Sequence, residues 1–384
     1  MPCTSLCPCA CNQSVVHFDR LEISFFRNLS AVSLELSPGL NFLYGPNGAG
    51  KTAILESVHL LVRGRSFRTP RSSTLIQNDQ EFLAVRGSIS DELQGSKTLA
   101  ISKDKRGRTE LKVDGIPEHR LSEAARLVPL QVMLPDLSEL VFGEPLGRRQ
   151  WLDWGAFHVE PAYLRELRAY LQVLKQRNAV LKDIARGEGD ESRLEPWTEQ
   201  LVEAAQRVDE RRHQYLEALI PVFEQLLARL APELRVEVRY QRGWPRDQNL
   251  RKVLGDLAPR EVKLGHTQMG PHRAEIELWV GAARANTILS RGQGKMVASA
   301  LKLSQARLLT KLDNRTSVFL IDDVGAELDE GHNFQFFELL EEMDCQILAT
   351  STHPLPLPKT NESRFAGLGL AVFHVERGSV HRQK

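Results

Sequence analysis

One glycine-rich segment constrains the fold of this chain more than any other feature of its sequence. It consists of Gly45, Pro46, Asn47, Gly48, Ala49, Gly50, Lys51 and Thr52. The segment fits the pattern G-x-x-x-x-G-K-[ST] and lies between a predicted buried strand at 41–44 and a predicted helix at 53–62. Glycines there let successive backbone N–H groups point at phosphate oxygens, at the positive end of the helix dipole. We therefore predict an ATP-binding P-loop at 45–52, in which Lys51 reaches the β- and γ-phosphates and the Thr52 hydroxyl is a ligand of Mg²⁺.

An apolar strand that ends in two acids is the second candidate part of the site. Residues 318–321 are Val-Phe-Leu-Ile, and Asp322 and Asp323 follow directly. Ligands bind at the carboxyl ends of strands in open parallel sheets, so both carboxylates are expected beside the phosphates. We predict that Asp322 is a ligand of Mg²⁺ and that Asp323 orients or activates the attacking water. Alone, such a pair is also typical of a helix N-cap and its solvated neighbour.

A third segment, 289–294, separates the families that share a P-loop. It contains Ser290, Gly292 and Gln293 and precedes a predicted helix at 295–312. Alone it is typical of an N-cap. With the P-loop upstream and the acidic strand downstream, it resembles the S-x-G-Q signature of ABC ATPases, in which the signature of one subunit contacts the γ-phosphate held by the other subunit. The resemblance implies that these residues bind ATP across an ATP-dependent homodimer.

Two further segments fit this family with unequal strength. Residues 325–329, just after the acidic strand, resemble the D-loop that crosses the dimer interface in ABC ATPases. Such proteins commonly place a histidine directly after the strand that the sequence predicts at 346–350, but this chain has Ser351 and Thr352 before His353. His353 therefore fits a structural or solvent-facing role as well as it fits the histidine switch.

The order of strand-like and helical patterns predicts an α/β fold, with an ABC-type P-loop ATPase head built from both ends of the chain and an inserted α-helical lobe. The ATPase lobe is expected at 15–135 and 265–384, and the helical arm lobe at 136–264. In the arm, two leucine-rich helical patterns flank a turn at 187–190 and should form an antiparallel pair. Pro221 should kink or end the second helix near Ile220.

The first residues of the chain stand apart from this pattern. Segment 1–14 has no periodicity, and we interpret it as a disordered leader. It holds four of the five cysteines, at spacings that are poor for a zinc site. These are Cys3, Cys7, Cys9 and Cys11.

Charge and hydropathy limit the partners that this chain can have. Lys and Arg total 50 against 49 for Asp and Glu, so any contact with nucleic acid must come from a local basic patch. One candidate is the turn of a predicted hairpin, which carries Lys103, Lys105, Arg106 and Arg108. No apolar run approaches the roughly 20 residues that span a bilayer, and no secretion signal is visible, so we expect a soluble cytoplasmic protein with no membrane partner.

Other stretches resemble the RecF family more than ABC ATPases at large, in RecF order from about residue 18 to 352. They are 26–29 (Phe-Arg-Asn-Leu), 65–69 (Arg-Ser-Phe-Arg-Thr), 143–153 and 269–273 (Met-Gly-Pro-His-Arg). The resemblance implies weak, DNA-stimulated ATP hydrolysis, ATP-dependent dimerisation, and binding to single-stranded, double-stranded and junction DNA. It also implies work with RecO and RecR in loading RecA during recombinational repair and replication restart.

Three other classes of P-loop protein compete with this interpretation. A nucleotide-binding subunit of an ABC transporter would have a shorter insertion between P-loop and signature. An SMC-type structural head would carry arms of hundreds of residues. The antiparallel helical pair predicted here has about seventy residues, which corresponds to roughly 45 Å per helix at most. A small-molecule kinase would leave the signature and the D-loop-like segment unexplained.

Overall fold

The computed structural model describes residues 14–93, 95–324, 330–354 and 369–383, and for 330–334 it describes the backbone alone. Residues 1–13 of the leader and the D-loop-like segment 325–329 lie outside these ranges. The chain divides into two compact units. Unit 1 contains the described residues up to Asp136 and from Ala306 onward, and unit 2 is Leu137–Gln305.

The strands and helices follow one another along the chain in three stretches. The N-terminal part of unit 1 contains β1 (His17–Phe26), β2 (Leu29–Glu35), β3 (Leu40–Tyr44), α1 (Lys51–Arg63), β4 (Phe82–Asp91), β5 (Gly95–Asp104), β6 (Thr109–Val113), β7 (Ile116–Glu118), α2 (Leu121–Leu127) and β8 (Leu130–Met133). Next come α3 (Glu139–Phe142), α4 (Pro145–Val159), α5 (Tyr163–Ala185), α6 (Glu195–Leu230), β9 (Glu237–Gln241), α7 (Leu250–Leu264), β10 (Glu275–Val280), β11 (Ala283–Arg284), α8 (Ala285–Ile288) and α9 (Arg291–Asp313). The chain continues with β12 (Val318–Ile321), α10 (Glu330–Glu341), β13 (Ile347–Ser351), β14 (Leu370–Glu376) and β15 (Ser379–Arg382). In the part of the chain that the structure describes, short 3-10 helices lie at Ser72–Leu75, Glu191–Leu194 and Pro271–Arg273.

A mainly parallel sheet positions the predicted nucleotide site in unit 1. Within the described ranges its order is β15-β14-β3-β13-β12-β8, and only β15 runs antiparallel to its neighbour. The strands β3, β12 and β13 are short apolar runs that are buried on both faces, as the strands of a covered parallel sheet must be. The carboxyl ends of β3, β12 and β13 therefore meet at one edge of the sheet.

A second, antiparallel sheet covers the helix that follows the P-loop. Its order is β2-β1-β4-β5-β6-β7. Its strands alternate buried and exposed residues, which is typical of a sheet with one solvated face. Helix α1 packs against β1, β4 and β5 of this sheet and against β13 of the parallel sheet, and its residues from Ala53 to Val62 are buried. Unit 1 is thus an α/β unit made from two separate stretches of the chain.

Helices α5 and α6 of unit 2 pack against each other on either side of the stretch predicted as a turn. Of the two outcomes predicted at Pro221, an end of the helix near Ile220 is wrong, since α6 continues to Leu230 with Pro221 inside it. A kink there stays a prediction. Pro221 lies on the exposed face, where water can satisfy the carbonyl of Glu217 that its missing N–H leaves free. The inward face, including Leu219 and Phe223, stays packed on both sides of the proline.

Unit 2 extends further along the chain than the predicted arm lobe. Residues 265–305, which the sequence assigned to the ATPase lobe, lie within this unit. Strand β10 pairs with β9 and β11 in a small antiparallel sheet. Gln305 Nε2 donates to the Trp151 carbonyl at 2.7 Å, which joins α9 to α4. The pairing of β9 with β10 and the bond between Gln305 and Trp151 connect residues far apart in the sequence, so periodicity alone could not reveal them.

Candidate nucleotide-binding site

The P-loop, residues 45–52, connects β3 to α1 as the sequence predicted. The Gly45 N–H donates to the Ser351 carbonyl at 3.3 Å, and Gly45 has φ 155°. A Cβ atom on Gly45 would lie 2.0 Å from the Val375 carbonyl oxygen, so only glycine fits at this position. Gly50 has φ 118° and begins α1, where the helix dipole favours an anion. The glycines thus allow close strand packing at one end of the loop and a sharp entry into the helix at the other.

Two neighbouring segments hold the P-loop through its carbonyl oxygens. Asn28 Nδ2 donates to the carbonyls of Gly48 and Ala49, both at 3.2 Å. The Gly378 N–H donates to the Ala49 carbonyl at 2.8 Å. These bonds fix the loop without using its N–H groups, which are the groups that a phosphate needs.

Lys51 lies inside the loop. Its side chain is buried, and Nζ donates to the carbonyls of Gly45 at 2.7 Å and Pro46 at 3.0 Å. Burial lowers the pKa of Lys51 from its usual value, and the nearby carboxylates of Asp323 and Asp322 oppose that shift. An ammonium group at this point of a P-loop is suited to charge on the β- and γ-phosphates.

The acids after β12 meet the P-loop through two hydroxyl groups. Thr52 Oγ1 donates to the Asp322 carboxylate, at 2.9 Å to Oδ1 and 3.1 Å to Oδ2. Thr350 Oγ1 donates to Asp322 Oδ1 at 2.7 Å and accepts the N–H of Asp323 at 2.8 Å. Asp323 has φ 59°, a left-handed backbone that non-glycine residues seldom adopt. Residues from three separate parts of the chain thus form one hydrogen-bonded group.

The oxygen atoms of this group fit a Mg²⁺ ion. Mg²⁺ is usually held by one or two carboxylates together with phosphate oxygens and water, which Asp322 and the Thr52 hydroxyl can complement. Within the part of the chain that the structure describes, no cluster of three or more His, Cys, Asp or Glu side chains could hold a metal by itself. The donor set is therefore that of a nucleotide-associated Mg²⁺ rather than a protein-only metal centre.

The P-loop opens into a cleft of about 890 Å³ whose lining includes two arginines that the sequence analysis did not assign to the site, Arg27 and Arg68. Arg27 donates to the fully buried Glu56 carboxylate with Nε at 3.0 Å and Nη2 at 2.8 Å. Ser66 also hydrogen-bonds to Glu56. Arg27 belongs to the RecF-like stretch 26–29. Because it is distant in sequence from the P-loop, the sequence alone did not predict that it lines the cleft.

The signature segment forms a local structure at the start of α9. Ser290 Oγ accepts the Gln293 N–H at 3.2 Å, while Gln293 Oε1 accepts the Ser290 N–H at 3.0 Å. This reciprocal pair is a capping box, the bland alternative that the sequence left open. Ser290, Gly292 and Gln293 belong to unit 2, whereas the P-loop belongs to unit 1. Their role across a dimer stays a prediction.

His353, the candidate for the histidine switch, is not among the residues that line the cleft. His353 is exposed, and its backbone N–H donates to Ser351 Oγ at 3.2 Å, while Thr352 lines the cleft.

The predicted basic hairpin exists as β5 and β6, but Lys103 is buried rather than at the tip, and burial lowers its pKa. Lys105 pairs with Glu81 at 3.0 Å. The exposed cations of the tip are therefore Lys105, Arg106 and Arg108.

The chain is similar to known proteins over nearly its whole length. The family model described as RecF/RecN/SMC N terminal domain matches residues 17–364. The chain is 38% identical over 361 residues to the DNA replication and repair protein RecF of Pseudomonas entomophila (strain L48), covering 94% of this chain and 97% of that protein. A solved structure of the recombination mediator protein RecF-ATP in the RecFOR pathway superposes with a TM-score of 0.84 at 26% identity, covering 96% of this chain and 98% of that one. An Smc head bound to the C-winged helix domain of ScpA shares the fold, with a TM-score of 0.57 at 16% identity and coverages of 96% and 97%.

Proposed function

This chain belongs to the RecF family, and from that membership we propose that it is a recombination mediator that binds ATP with Mg²⁺ and hydrolyses it slowly. The observation that carries the proposal is the hydrogen-bonded group of Thr52, Asp322 and Thr350 beside the P-loop. It unites a phosphate-binding loop and an acidic strand end in one cleft. The near full-length similarity to RecF favours this function over a transporter subunit or a small-molecule kinase.

The geometry supports a division of labour for hydrolysis. Backbone N–H groups of the P-loop bind the phosphates, and Lys51 shifts from the loop carbonyls to the β- and γ-phosphate oxygens. Thr52 and Asp322 are the residues that hold Mg²⁺, which when bound neutralises charge on the phosphates. Asp323 orients the attacking water and accepts its proton.

Dimerisation is the second part of the proposal. Ser290, Gly292 and Gln293 of one subunit bind the γ-phosphate of ATP held by the other subunit, so ATP closes a homodimer. The capping box is compatible with this role, because Ser290 Oγ accepts a bond from Gln293 and its hydroxyl proton stays available as a donor. The N-terminus of a helix as long as α9 also favours an anion.

DNA is the proposed partner of the closed dimer. The RecF relationship supports binding to single-stranded, double-stranded and junction DNA, and cooperation with RecO and RecR in loading RecA in the cytoplasm. The exposed cations Lys105, Arg106 and Arg108 are candidates for phosphate contacts. Within the described ranges, none of the helices has the length and apolar character that a bilayer crossing requires.

Molecular mass in solution tests this proposal directly. Light scattering should show a monomer without nucleotide or with ADP, and a dimer with ATP and Mg²⁺. DNA affinity measured by anisotropy should rise with ATP and fall as salt increases, because phosphate contacts release counterions. A mass that ignores ATP would contradict the composite site, and a chain that fails to bind ATP would contradict the P-loop assignment.

A further inference from the structure

We propose that Thr350 is a positioning residue for ATP hydrolysis, whose hydroxyl fixes the Asp322 carboxylate and the Asp323 backbone relative to each other. The inference rests on the proposed ATPase function and assigns a role to a residue outside the P-loop and the acidic strand.

Thr350 belongs to β13, which lies between β3 and β12 in the parallel sheet. In the sheet it stands opposite Leu43 of β3, and the pairing of β12 with β13 includes Ile321 opposite Ala349. Thr350 comes directly after Ala349, the last residue of β13 that pairs with β12. It therefore lies beside the point where β12 ends and Asp322 follows. Its side chain is 1% exposed, so its hydroxyl must be satisfied within the protein.

The hydroxyl can satisfy its neighbours in only one way. An ionised carboxylate accepts hydrogen bonds and cannot donate them, so the Thr350 proton goes to Asp322 Oδ1 at 2.7 Å. The oxygen lone pairs then accept the Asp323 N–H at 2.8 Å. One small group thus orients the side chain of the first acid and the main chain of the second.

The backbone of Asp323 shows what this contact has to maintain. Its φ of 59° lies in the left-handed region, which persists only where the surroundings hold it. The next residue repeats the contact, since the Val324 N–H donates to the Thr350 carbonyl at 2.7 Å. Side chain and main chain of Thr350 therefore both hold the turn that carries Asp323 out of β12.

The turn held by Thr350 also sets where the Asp323 carboxylate lies. A turn that relaxed toward the right-handed region would move this carboxylate away from its present position. We therefore expect loss of the Thr350 hydroxyl to disturb water orientation and Mg²⁺ binding while leaving the P-loop intact.

Thr350→Val removes the hydroxyl and keeps the shape, and Thr350→Ser keeps the hydroxyl. Thr316→Val is the matched control, because the buried Thr316 Oγ1 accepts the Val16 N–H at 3.0 Å, at the other end of β12 from the acids. For each variant, kcat, ATP affinity with and without Mg²⁺, and the Mg²⁺ concentration at half-saturation should be measured. A fluorescent ATP analogue reports binding, and circular dichroism reports the fold.

We expect Thr350→Val to lower kcat about tenfold or more and to raise the Mg²⁺ midpoint severalfold, with Mg²⁺-free ATP affinity within about threefold of the unmodified chain. Thr350→Ser should restore both quantities. Thr316→Val should lower the unfolding temperature and leave kcat and the Mg²⁺ midpoint unchanged.

Three results would overturn the inference. They are normal kcat in Thr350→Val, equal losses in the Ser and Val variants, and loss of Mg²⁺-free ATP binding in Thr350→Val, which would mean that the residue shapes the pocket. Should Thr350→Val not fold, Thr350→Ala replaces it with the same expectations. An unmodified chain that binds no ATP would instead show failure of the proposed function, and the inference would fall with it.

Discussion

Two polar networks, one in each unit, use similar side chains for different ends. In unit 1, Asp322 accepts from the hydroxyls of Thr52 and Thr350 at the wall of the nucleotide cleft. In unit 2, Arg177 Nη1 donates to Glu261 Oε2 at 2.7 Å, and neither side chain is more than 1% exposed. The first network keeps oxygen atoms available to a ligand, whereas in the second network the two charged side chains pair with each other.

The network of unit 2 is almost fully satisfied by its own partners. Arg177 Nε donates to Thr198 Oγ1 at 3.1 Å, and Nη1 also donates to Thr267 Oγ1 at 2.8 Å. Glu261 Oε1 accepts the Gln268 N–H at 2.7 Å. These bonds join α5, α6, α7 and the loop after α7. A buried network whose donors and acceptors bond to one another helps to specify how the helices pack. A network at the end of a strand that leaves oxygen atoms free for a ligand indicates a binding or catalytic site.

The largest expected effect comes from breaking the network of unit 2. Arg177→Met leaves the Glu261 charge buried without its partner, so the free energy of unfolding should fall by about 3–5 kcal/mol. Urea unfolding followed by circular dichroism measures this change. The double variant Arg177→Met, Glu261→Met should recover most of the loss, because no unpaired charge stays buried.

An exposed ion pair in the same unit provides the control for this experiment. Arg251 pairs with Glu199 at 3.1 Å, and both side chains are more than half exposed. Arg251→Met should leave the urea midpoint nearly unchanged, because surface ion pairs contribute little. Equal effects of Arg177→Met and Arg251→Met would erase the distinction between a closed network and a surface pair.

A large effect on turnover, with the fold preserved, is expected from Asp323→Asn. The variant keeps a residue type that tolerates the left-handed backbone but removes the proton acceptor, so kcat should fall about a thousandfold. ATP should still bind, and gel filtration with ATP and Mg²⁺ should show a dimer that persists. Normal turnover would move the catalytic role away from this residue.

Lys51→Arg should lower turnover by about a hundredfold while retaining part of the ATP affinity. The replacement keeps the positive charge, but a planar guanidinium cannot take the place of a compact ammonium between the loop carbonyls and the phosphates. Phosphate release and binding of a fluorescent ATP analogue measure the two quantities. Unchanged turnover would remove the P-loop assignment, whatever the stability of the variant.

The smallest effect on stability is expected from Ser290→Arg, which loses an N-cap worth about 1 kcal/mol. ATP affinity of the monomer should stay nearly unchanged, whereas ATP-dependent dimerisation and DNA binding should be lost. Asn249→Ala is the control, because it removes the N-cap of α7, where Asn249 Oδ1 accepts the Arg251 N–H at 2.8 Å. Dimerisation that survives in Ser290→Arg would show that the segment is a helix cap alone, and loss of ATP binding by the monomer would place Ser290 in its own subunit's pocket.

The parts of the site that the sequence could predict are those encoded locally. The P-loop is a continuous pattern between a strand and a helix, and the acids directly follow an apolar strand, so Lys51, Thr52 and Asp322 could be proposed as site residues before the fold was known. The structure places these three residues together. Thr350 and Arg27 could not be identified in this way, because their contacts depend on strand order and on a turn distant in sequence.

The fold was predictable to a similar extent. The α/β class and the strands β3, β12 and β13 followed from short apolar runs, since burial on both faces leaves a clear pattern, whereas β14 and β15 were not predicted. The continuity of α6 through Pro221 and the buried position of Lys103 did not, because each depends on which face tertiary packing exposes. Sequence periodicity reports how an element is patterned but not which neighbour covers it.

The place of β3 between β13 and β14 has a consequence for synthesis on the ribosome. Translation delivers the P-loop early, yet the strands that flank β3 and the Gly378 N–H that holds Ala49 emerge only after all of unit 2 has been made. Domains generally fold as they emerge, so unit 2 can fold while the first half of unit 1 waits for its missing strands. We therefore expect the ability to bind ATP to be acquired late, after β13 and β14 have left the ribosome and paired with β3.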